Sequence, residues 1–379
     1  MTSAKLFIAS GIFHPESGGP ATYLYEVLPH LQQAGWDVRL LTYGDGDVAT
    51  YPYPVTRIAR GTLPLRLARY AQAARPLLRW ADVVYQHTLG LPLWMGAKRP
   101  RVVKIVGDQA WERAVRRKWI PPTTDIDVFQ HGGYGLRATF ARAARAREVR
   151  SMAGVIVPSA YLRQMVIGWG VAPEKVHVIY NALPTTSLPG ITQQQARTQL
   201  NLPDAPTLLT AARLVQWKGI DHIITALQQV AEVRLLIAGN GPMRDSLLRQ
   251  TQALRLTDRI TFLGHVSRED MPLYMKAADY VALYSGYEGL SHTLLESLRV
   301  GTPVIASDKG GNPEVVQHNI NGLLVPYIDT DALIATLHEA FQPGKRDSLA
   351  ANTHIGMERF DFDTMIQSTH EFLSAYLHE

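Results

Sequence analysis

The sequence predicts an α/β protein made of two doubly wound parallel sheets. Three observations carry that expectation. At 379 residues the chain exceeds one ordinary core and suits two domains of common size. Hydrophobic residues make up 46% and charged residues 19%, the profile of a globular protein. Short β-rich apolar runs alternate with helical periodicity along the whole chain, as they do when helices cover both faces of a parallel sheet.

In the first half, strands are expected at 5–10, 38–43, 82–87, 102–106 and 155–158, and a helix over 19–34 follows the first strand directly. The second half repeats the scheme, with strands at 207–212, 234–238, 260–263, 280–284 and 303–306. Between the halves, Pro184, Pro189, Pro203, Pro206 and the polar run Thr192 to Gln195 break the alternation, so 181–206 reads as a linker. The expected domains are therefore 1–183 and 184–359. Ligands of open parallel sheets sit beyond the carboxyl ends of the strands, and two such domains facing one another would enclose a cleft. The alternation alone does not separate transferases from dehydrogenases or binding proteins.

The absence of cysteine excludes disulfides, thiolate metal sites and cysteine nucleophiles, and it permits a reducing compartment. The apolar segment 6–9 is too short for a signal peptide, and no run approaches the roughly 18 uncharged apolar residues of a membrane span. A cytoplasmic location is expected. Charge is uneven: residues 1–183 carry 23 Lys+Arg against 12 Asp+Glu, and the remainder 15 against 21. A basic half can attract nucleic acid, anionic lipid or an anionic substrate. In segments 60–79 and 137–150, Arg recurs at near-helical spacing (Arg66, Arg69; Arg142, Arg145), either as a solvated helix face or as a peripheral contact with an anionic membrane. Interleaved aromatics for stacking bases are missing, so no nucleic-acid partner is expected.

The most informative segment runs from Tyr284 to Gly301. It follows a strand, turns at Gly289, and reads as a helix from near Ser291 to Gly301. Glu288 falls in the turn and Glu296 more than one helical turn inside, on the order of 10 Å apart at 1.5 Å per residue. That spacing is too wide for one shared ion. It suits an elongated ligand with hydroxyls at both ends and phosphates between, held by the free N–H groups from Leu290 to Leu294. Two glutamates eight apart are commonplace by themselves. A second segment adds weight: Arg213 and Lys218-Gly219 follow the strand at 207–212, a fork of donors and a compact cation suited to a diphosphate. Near the start, the pair Gly18-Gly19 opens a helix after the first strand, where backbone can approach phosphate closely. Gly239-Asn-Gly241-Pro242 makes a comparable turn. Neither has the G-x-G-x-x-G pattern of dinucleotide sites.

Taken together, these residues resemble retaining glycosyltransferases of family 4, with the GT-B fold. The resemblance spans essentially the whole chain: Gly18-Gly19, Val155 to Ser159, Val178 to Asn181, Arg213 with Lys218-Gly219, Ala238 to Gly241, Phe262 to Gly264, Glu288 to Glu296, Pro303 to Ser307, and Gly310 to Glu314. It implies two Rossmann-like domains and a last helix, within 360–379, packing back on the N-terminal domain. It implies that Arg213 and Lys218 hold the donor diphosphate, Glu288 the hydroxyls of the transferred sugar, and Glu296 the ribose. Gly18, Gly19, Gly241, Gly289, Leu290, Ser291, Thr293 and Leu294 would line the donor, with the backbone near His265 and Val266 against the base. The co-substrate would be a UDP- or GDP-linked sugar, with no metal or other cofactor, and the acceptor a glycan, a lipid-linked molecule or a small molecule.

One position departs from the family. Many members place His before Asp after the strand at 102–106, where this chain has Gly107-Asp108. Asp108 could compensate at the transferred sugar, His87 could reach the site, or Asp108 could cap the following segment. Three rivals stand beside this reading. Asp45-Gly-Asp47, Asp125-Ile-Asp127 and Asp361-Phe-Asp363 match the weak Asp-x-Asp pattern of metal-dependent GT-A transferases. A nucleotide-sugar epimerase of GT-B shape would need no acceptor. A non-catalytic nucleotide-sugar or polysaccharide binding protein would release no nucleotide.

Overall fold

The computed structural model of the chain describes residues 3–16, 18–45, 50–93, 99–182, 184 and 190–377. These residues form two parallel sheets in two compact units, the first comprising Met1–Ile120, Phe129–Pro184 and Asp361–Glu379, the second Pro121–Val128 and Thr185–Phe360. The first sheet holds β1 (Ala4–Ala9), β2 (Trp36–Tyr43), β3 (Val55–Ile58), β4 (Val83–Gln86), β5 (Arg101–Lys104), β6 (Gly154–Val157) and β7 (Val176–Val178), in the order β3-β2-β1-β4-β5-β6-β7. The second holds β8 (Thr207–Ala211), β9 (Arg234–Ala238), β10 (Ile260–Gly264), β11 (Tyr280–Leu283), β12 (Val304–Ser307) and β13 (Gly322–Val325), in the order β10-β9-β8-β11-β12-β13. The strand order reverses between β1 and β4 in one sheet and between β8 and β11 in the other. At those two switch points the connections leave to opposite sides and open a crevice at the carboxyl edge.

All ten strands expected from the apolar runs are present. Three more, β3, β7 and β13, lie at the sheet edges, and β3 and β7 are interrupted by Thr56-Arg57 and His177, so they carry no continuous apolar run. The largest correction falls at the expected linker. Thr192 and Gln195 form a capping box that starts the helix Gln193–Gln199, so the polar run is a helix signal. Arg197 of that helix pairs with Asp279 at 2.8 Å and with Asp204 at 3.0 Å, and Asp279 also accepts the Thr207 N–H at 2.7 Å. The segment before β8 is thereby fixed to the second sheet. A second difference is Pro121–Val128, which groups with the second unit although it lies within 1–183.

The final helix, Phe362–Ser374, belongs to the first unit. Trp36 Nε1 donates to His370 Nδ1 at 3.0 Å, the Ala182 N–H meets the Met365 sulfur at 3.2 Å, and Phe372 packs on His177 with ring centroids 4.6 Å apart. Gly154, which starts β6, is small because the Phe372 and Tyr376 rings occupy the space a Cβ would need. Leu6 and Ile8 of β1, Val83 and Tyr85 of β4, Phe362, Met365 and Leu373 share one buried cluster.

Lys104 is an exception in that core. It ends β5, is buried, and its Nζ has no hydrogen-bond partner, lying 4.0 Å from the centre of the Tyr23 ring. The β4–β5 register sets it beside His87, whose Nε2 is also buried and unpartnered. Burial pushes the Lys104 ammonium down to about 7 from 10.5, and burial with the nearby Lys104 pushes His87 well below its ordinary value. The unfolded chain therefore binds a proton at Lys104 that the fold does not hold between about pH 7 and 10.5. Stability from this group falls as pH drops through that window and is level below it. Thermal melts should show Lys104→Met more stable than the parent at pH 7.5, by an amount that shrinks toward pH 10. A gap independent of pH would contradict a neutral buried lysine.

Candidate functional site

The site is built at the carboxyl ends of β8 and β11, the switch point of the second sheet. After β8 the chain passes exposed Arg213 and enters a short 3₁₀ turn, Gln216–Lys218. After β11 it turns through Ser285 to Glu288. The turns are stitched together: Gly286 N–H donates to the Trp217 carbonyl at 2.7 Å, and Gly219, at φ +60°, lies so close to Tyr284 that a Cβ would strike its carbonyl oxygen. Their side chains meet accordingly. Lys218 Nζ pairs with Glu288 Oε1, the side chains being 17% and 13% exposed.

Two glycine turns hold this pair from behind. The β9 turn lies against 212–214: Leu214 N–H donates to the Asn240 carbonyl at 3.0 Å, and a Cβ on Gly239 or Gly241 would strike Ala212 O or Leu214 O. Gly241 thus sets the path of the Arg213 loop. On the other side, Gly311 N–H donates to the Glu288 carbonyl at 2.8 Å, and Gly310 and Gly311 leave room for the backbone of Glu288 and Gly289. Ser307 Oγ donates to the Ser285 carbonyl and accepts from Asn312 Nδ2 at 3.0 Å. In the sequence, Gly310 to Glu314 carries the family resemblance but no assigned role. The signal is a glycine pair starting three residues beyond the end of β12, and its task is to buttress the Glu288 turn.

Past Gly289 and Leu290, the helix His292–Arg299 starts with Ser291 as its cap, whose Oγ accepts the Leu294 N–H at 3.3 Å. Thr293 Oγ1 donates to Ala211 O at the end of β8, at 3.4 Å, which keeps this helix start beside the Arg213 loop. Burial pushes the Glu296 carboxyl up, and Arg268 and Arg299 pull it back. His265 is exposed and Val266 half-buried after β10, with the Gly264 carbonyl accepting the Gly239 N–H at 2.6 Å. Arg213, Lys218, Gly241, His265, Val266, Glu288 to Ser291, Thr293, Leu294 and Glu296 therefore all belong to the second unit.

Gly18, Gly19 and Asp108 belong to the first. Gly18, at φ +153°, precedes the helix Gly19–Gln33 after β1, at that sheet's own switch point. Asp108 is fully buried. One oxygen accepts the N–H groups of Ala110 at 2.9 Å and Trp111 at 3.2 Å, and the other takes Gln130 Nε2 at 3.0 Å and the Arg145 guanidinium. The carboxylate caps the helix Gln109–Arg116 and completes a buried ion pair, so both oxygens are committed and the geometry favours the capping role over a contact with sugar. His87 is buried between Tyr23 and Tyr85.

The sequence profile of Glycosyltransferase Family 4 matches residues 17–187, and that of Glycosyl transferases group 1 matches residues 192–353. The chain belongs to the group 1 and family 4 glycosyltransferases. Over 194 residues it is 31% identical to the GDP-mannose-dependent alpha-(1-6)-phosphatidylinositol monomannoside mannosyltransferase of Mycobacterium tuberculosis, covering 47% of this chain and 50% of that one. Among the first curated relatives, the match spans 64% of the relative's length or less. Sucrose-phosphate synthase from Thermosynechococcus elongatus superposes with a TM-score of 0.80 at 21% identity, covering 98% of each chain. Anabaena HepE in complex with UDP-glucose superposes with 0.77 at 23% identity, covering 98% of this chain and 99% of that one. At these identities the superpositions establish the fold, which is GT-B.

That fold removes the GT-A rival, and the Asp-x-Asp matches have local explanations in this chain. Asp125 accepts the N–H groups of Asp127 at 2.7 Å and Val128 at 3.1 Å, and Asp361 caps the final helix through the Thr364 N–H at 2.7 Å. Asp47 lies outside the described residues. Among the described residues no three His, Asp or Glu side chains are grouped to hold a metal ion. Removing the Asp108 carboxylate leaves Arg145 buried and unpaired and two helix N–H groups uncapped, a loss typically of about 3–5 kcal/mol. Urea unfolding of Asp108→Ala should show that loss. Parent-like stability with abolished turnover would instead make Asp108 a catalytic group.

Proposed function

We propose that this chain transfers a sugar from a UDP- or GDP-linked donor to an acceptor hydroxyl, with retention at the anomeric carbon and without a metal ion. The observation that carries the reading is the contact of Lys218 with Glu288 at the β8/β11 switch point. The bond broken in such a donor joins the sugar to its diphosphate, so a cation for one side and a carboxylate for the other belong side by side. Arg213 and Lys218, with the positive end of the His292–Arg299 helix, would take the charge that grows on the departing diphosphate. Glu288 would accept hydrogen bonds from the sugar hydroxyls and Glu296 from the ribose. His265 and Val266 would flank the base.

The acceptor proposed is a glycan or lipid-linked molecule at an anionic membrane surface. Leu136 and Phe140 are 90% and 76% exposed, one turn apart on the helix Gly135–Arg150, which also presents Arg137, Arg147 and Arg150 to solvent. Apolar knobs among cations suit anionic lipid headgroups. No helix among the described residues is long and apolar enough to cross a membrane. The mycobacterial relative's name specifies GDP-mannose and a phosphatidylinositol-linked acceptor, and the HepE structure holds UDP-glucose, both consistent with this class of chemistry.

Turnover of a panel of UDP- and GDP-sugars, by hydrolysis and by transfer, is the first test. Epimerisation of the donor without transfer, or binding without nucleotide release, would favour one of the two remaining rivals. Arg213→Ala should lower turnover on the order of a hundredfold or more with the fold retained, because a lost donor at a developing anion costs that much. Unchanged turnover would remove Arg213 from the site. Glu288→Gln should damage turnover more than UDP or GDP affinity, whereas Glu296→Gln should weaken the nucleotide. The reverse pattern would mean the donor lies the other way round.

A further inference from the structure

The first unit contains a cavity of about 80 Å³ that the donor site does not use. It lies between the loop after β4, the helix Gln109–Arg116 and the helix Gly135–Arg150, beyond the carboxyl ends of β4 and β5. Its volume is that of two or three waters at about 30 Å³ each. Gly90, Arg113 and Ala144 form an exposed rim, and buried Arg145 is part of the wall.

The polar groups around it are of three kinds. Arg113 makes no side-chain hydrogen bond or ion pair among the described residues, and so presents a free planar set of donors. Arg145 has one guanidinium nitrogen on Asp108, but its Nε–H is buried with no partner, an orphan donor of the kind that folds rarely leave unmet. Glu148 is oriented by Gly90 N–H at 3.0 and 2.8 Å and by Gln86 Nε2 at 2.9 Å, and a carboxylate oxygen has lone pairs to spare. Gln109 adds an amide that both donates and accepts. Arg145 is neutralised by Asp108 behind the wall, and Arg113 and Glu148 carry opposite charges, so the cavity together with its immediate backing has no net charge. Donors and acceptors mixed at zero net charge suit a neutral polyol better than an anion or a cation.

We propose that this cavity is a subsite for the hydroxyl-bearing edge of a neutral sugar ring, the terminal residue of the acceptor. Two or three ring hydroxyls fill that volume, donating to Glu148 and accepting from Arg113 and from the orphan Arg145 Nε–H. The ring itself rests at the rim over Ala144. This assignment rests on the transfer reading above and specifies its acceptor.

The test uses two exposed positions that take no part in the donor site. Arg113→Ala removes the free donors, and Ala144→Trp blocks the mouth. Saturation-transfer NMR with methyl α-glucopyranoside, methyl α-mannopyranoside, methyl α-galactopyranoside and myo-inositol as probes should give a signal with at least one on the parent. Ala144→Trp should abolish that signal and Arg113→Ala should weaken it at least about threefold, as loss of charged hydrogen bonds to a ligand does. Donor hydrolysis should stay within about twofold of the parent in both variants, since they leave donor contacts intact. No signal from any probe on the parent, or equal signals on parent and variants, would overturn the subsite. Donor hydrolysis in the parent is read separately, so a failed subsite remains distinguishable from a failed transferase.

Discussion

Lys218 and Glu288 neutralise one another where the turns after β8 and β11 meet, and the glycine turns of the second unit hold them together. Neither charge has a good alternative. Both side chains are more than four-fifths buried, so removing either leaves the other short of solvent and without its partner, a costly outcome. A bound diphosphate and sugar would relieve that constraint, since the lysine would gain phosphate oxygens and the glutamate would gain hydroxyls. The pair is therefore read as a site held ready for its ligand more than as a source of stability.

Readiness of this kind needs close backbone packing. Gly219 against Tyr284, Gly239 and Gly241 against 212–214, and Gly310 and Gly311 against Glu288 and Gly289 each bring two loop backbones nearer than any side chain permits. Four strand ends, those of β8, β9, β11 and β12, are thereby locked into one rigid rim. The first unit uses its carboxyl edge differently. There Asp108, Gln130 and Arg145 close a buried polar network, and Lys104 with His87 sits unpaired beneath Tyr23. Stability in that unit is spent around the edge, and the open polar surface that remains is the small cavity beside Arg145.

Long apolar runs made the sheets legible: β1, β2, β8 and β9 could be read almost to the residue, because buried parallel strands are near-continuous in Val, Ile and Leu. The edge strands β3 and β7 are interrupted by Thr56-Arg57 and His177 and so carry no continuous apolar run. Thr192 to Gln195 misled because the same polar residues serve linkers and capping boxes, and only the docking of Arg197 on Asp279 decides between them. At the site, Arg213, Lys218 and Glu288 were legible as charges beyond strand ends, and Glu296 as a carboxylate inside the helix that follows. The meeting of Lys218 with Glu288 was not, since it depends on β8 and β11 being neighbours across a strand-order reversal, a property of the whole sheet. Asp108 shows the limit from the other side: its sequence position allowed a cap or a sugar contact, and only the four donors around it distinguish them.

The most direct test is a crystal structure of the chain with UDP or GDP bound. The account requires the two phosphates to lie within hydrogen-bond reach of Arg213 and Lys218 at the start of the His292–Arg299 helix, with the ribose on Glu296. A nucleotide seated elsewhere, with Lys218 and Glu288 still closed on each other and only water in front of them, would contradict it.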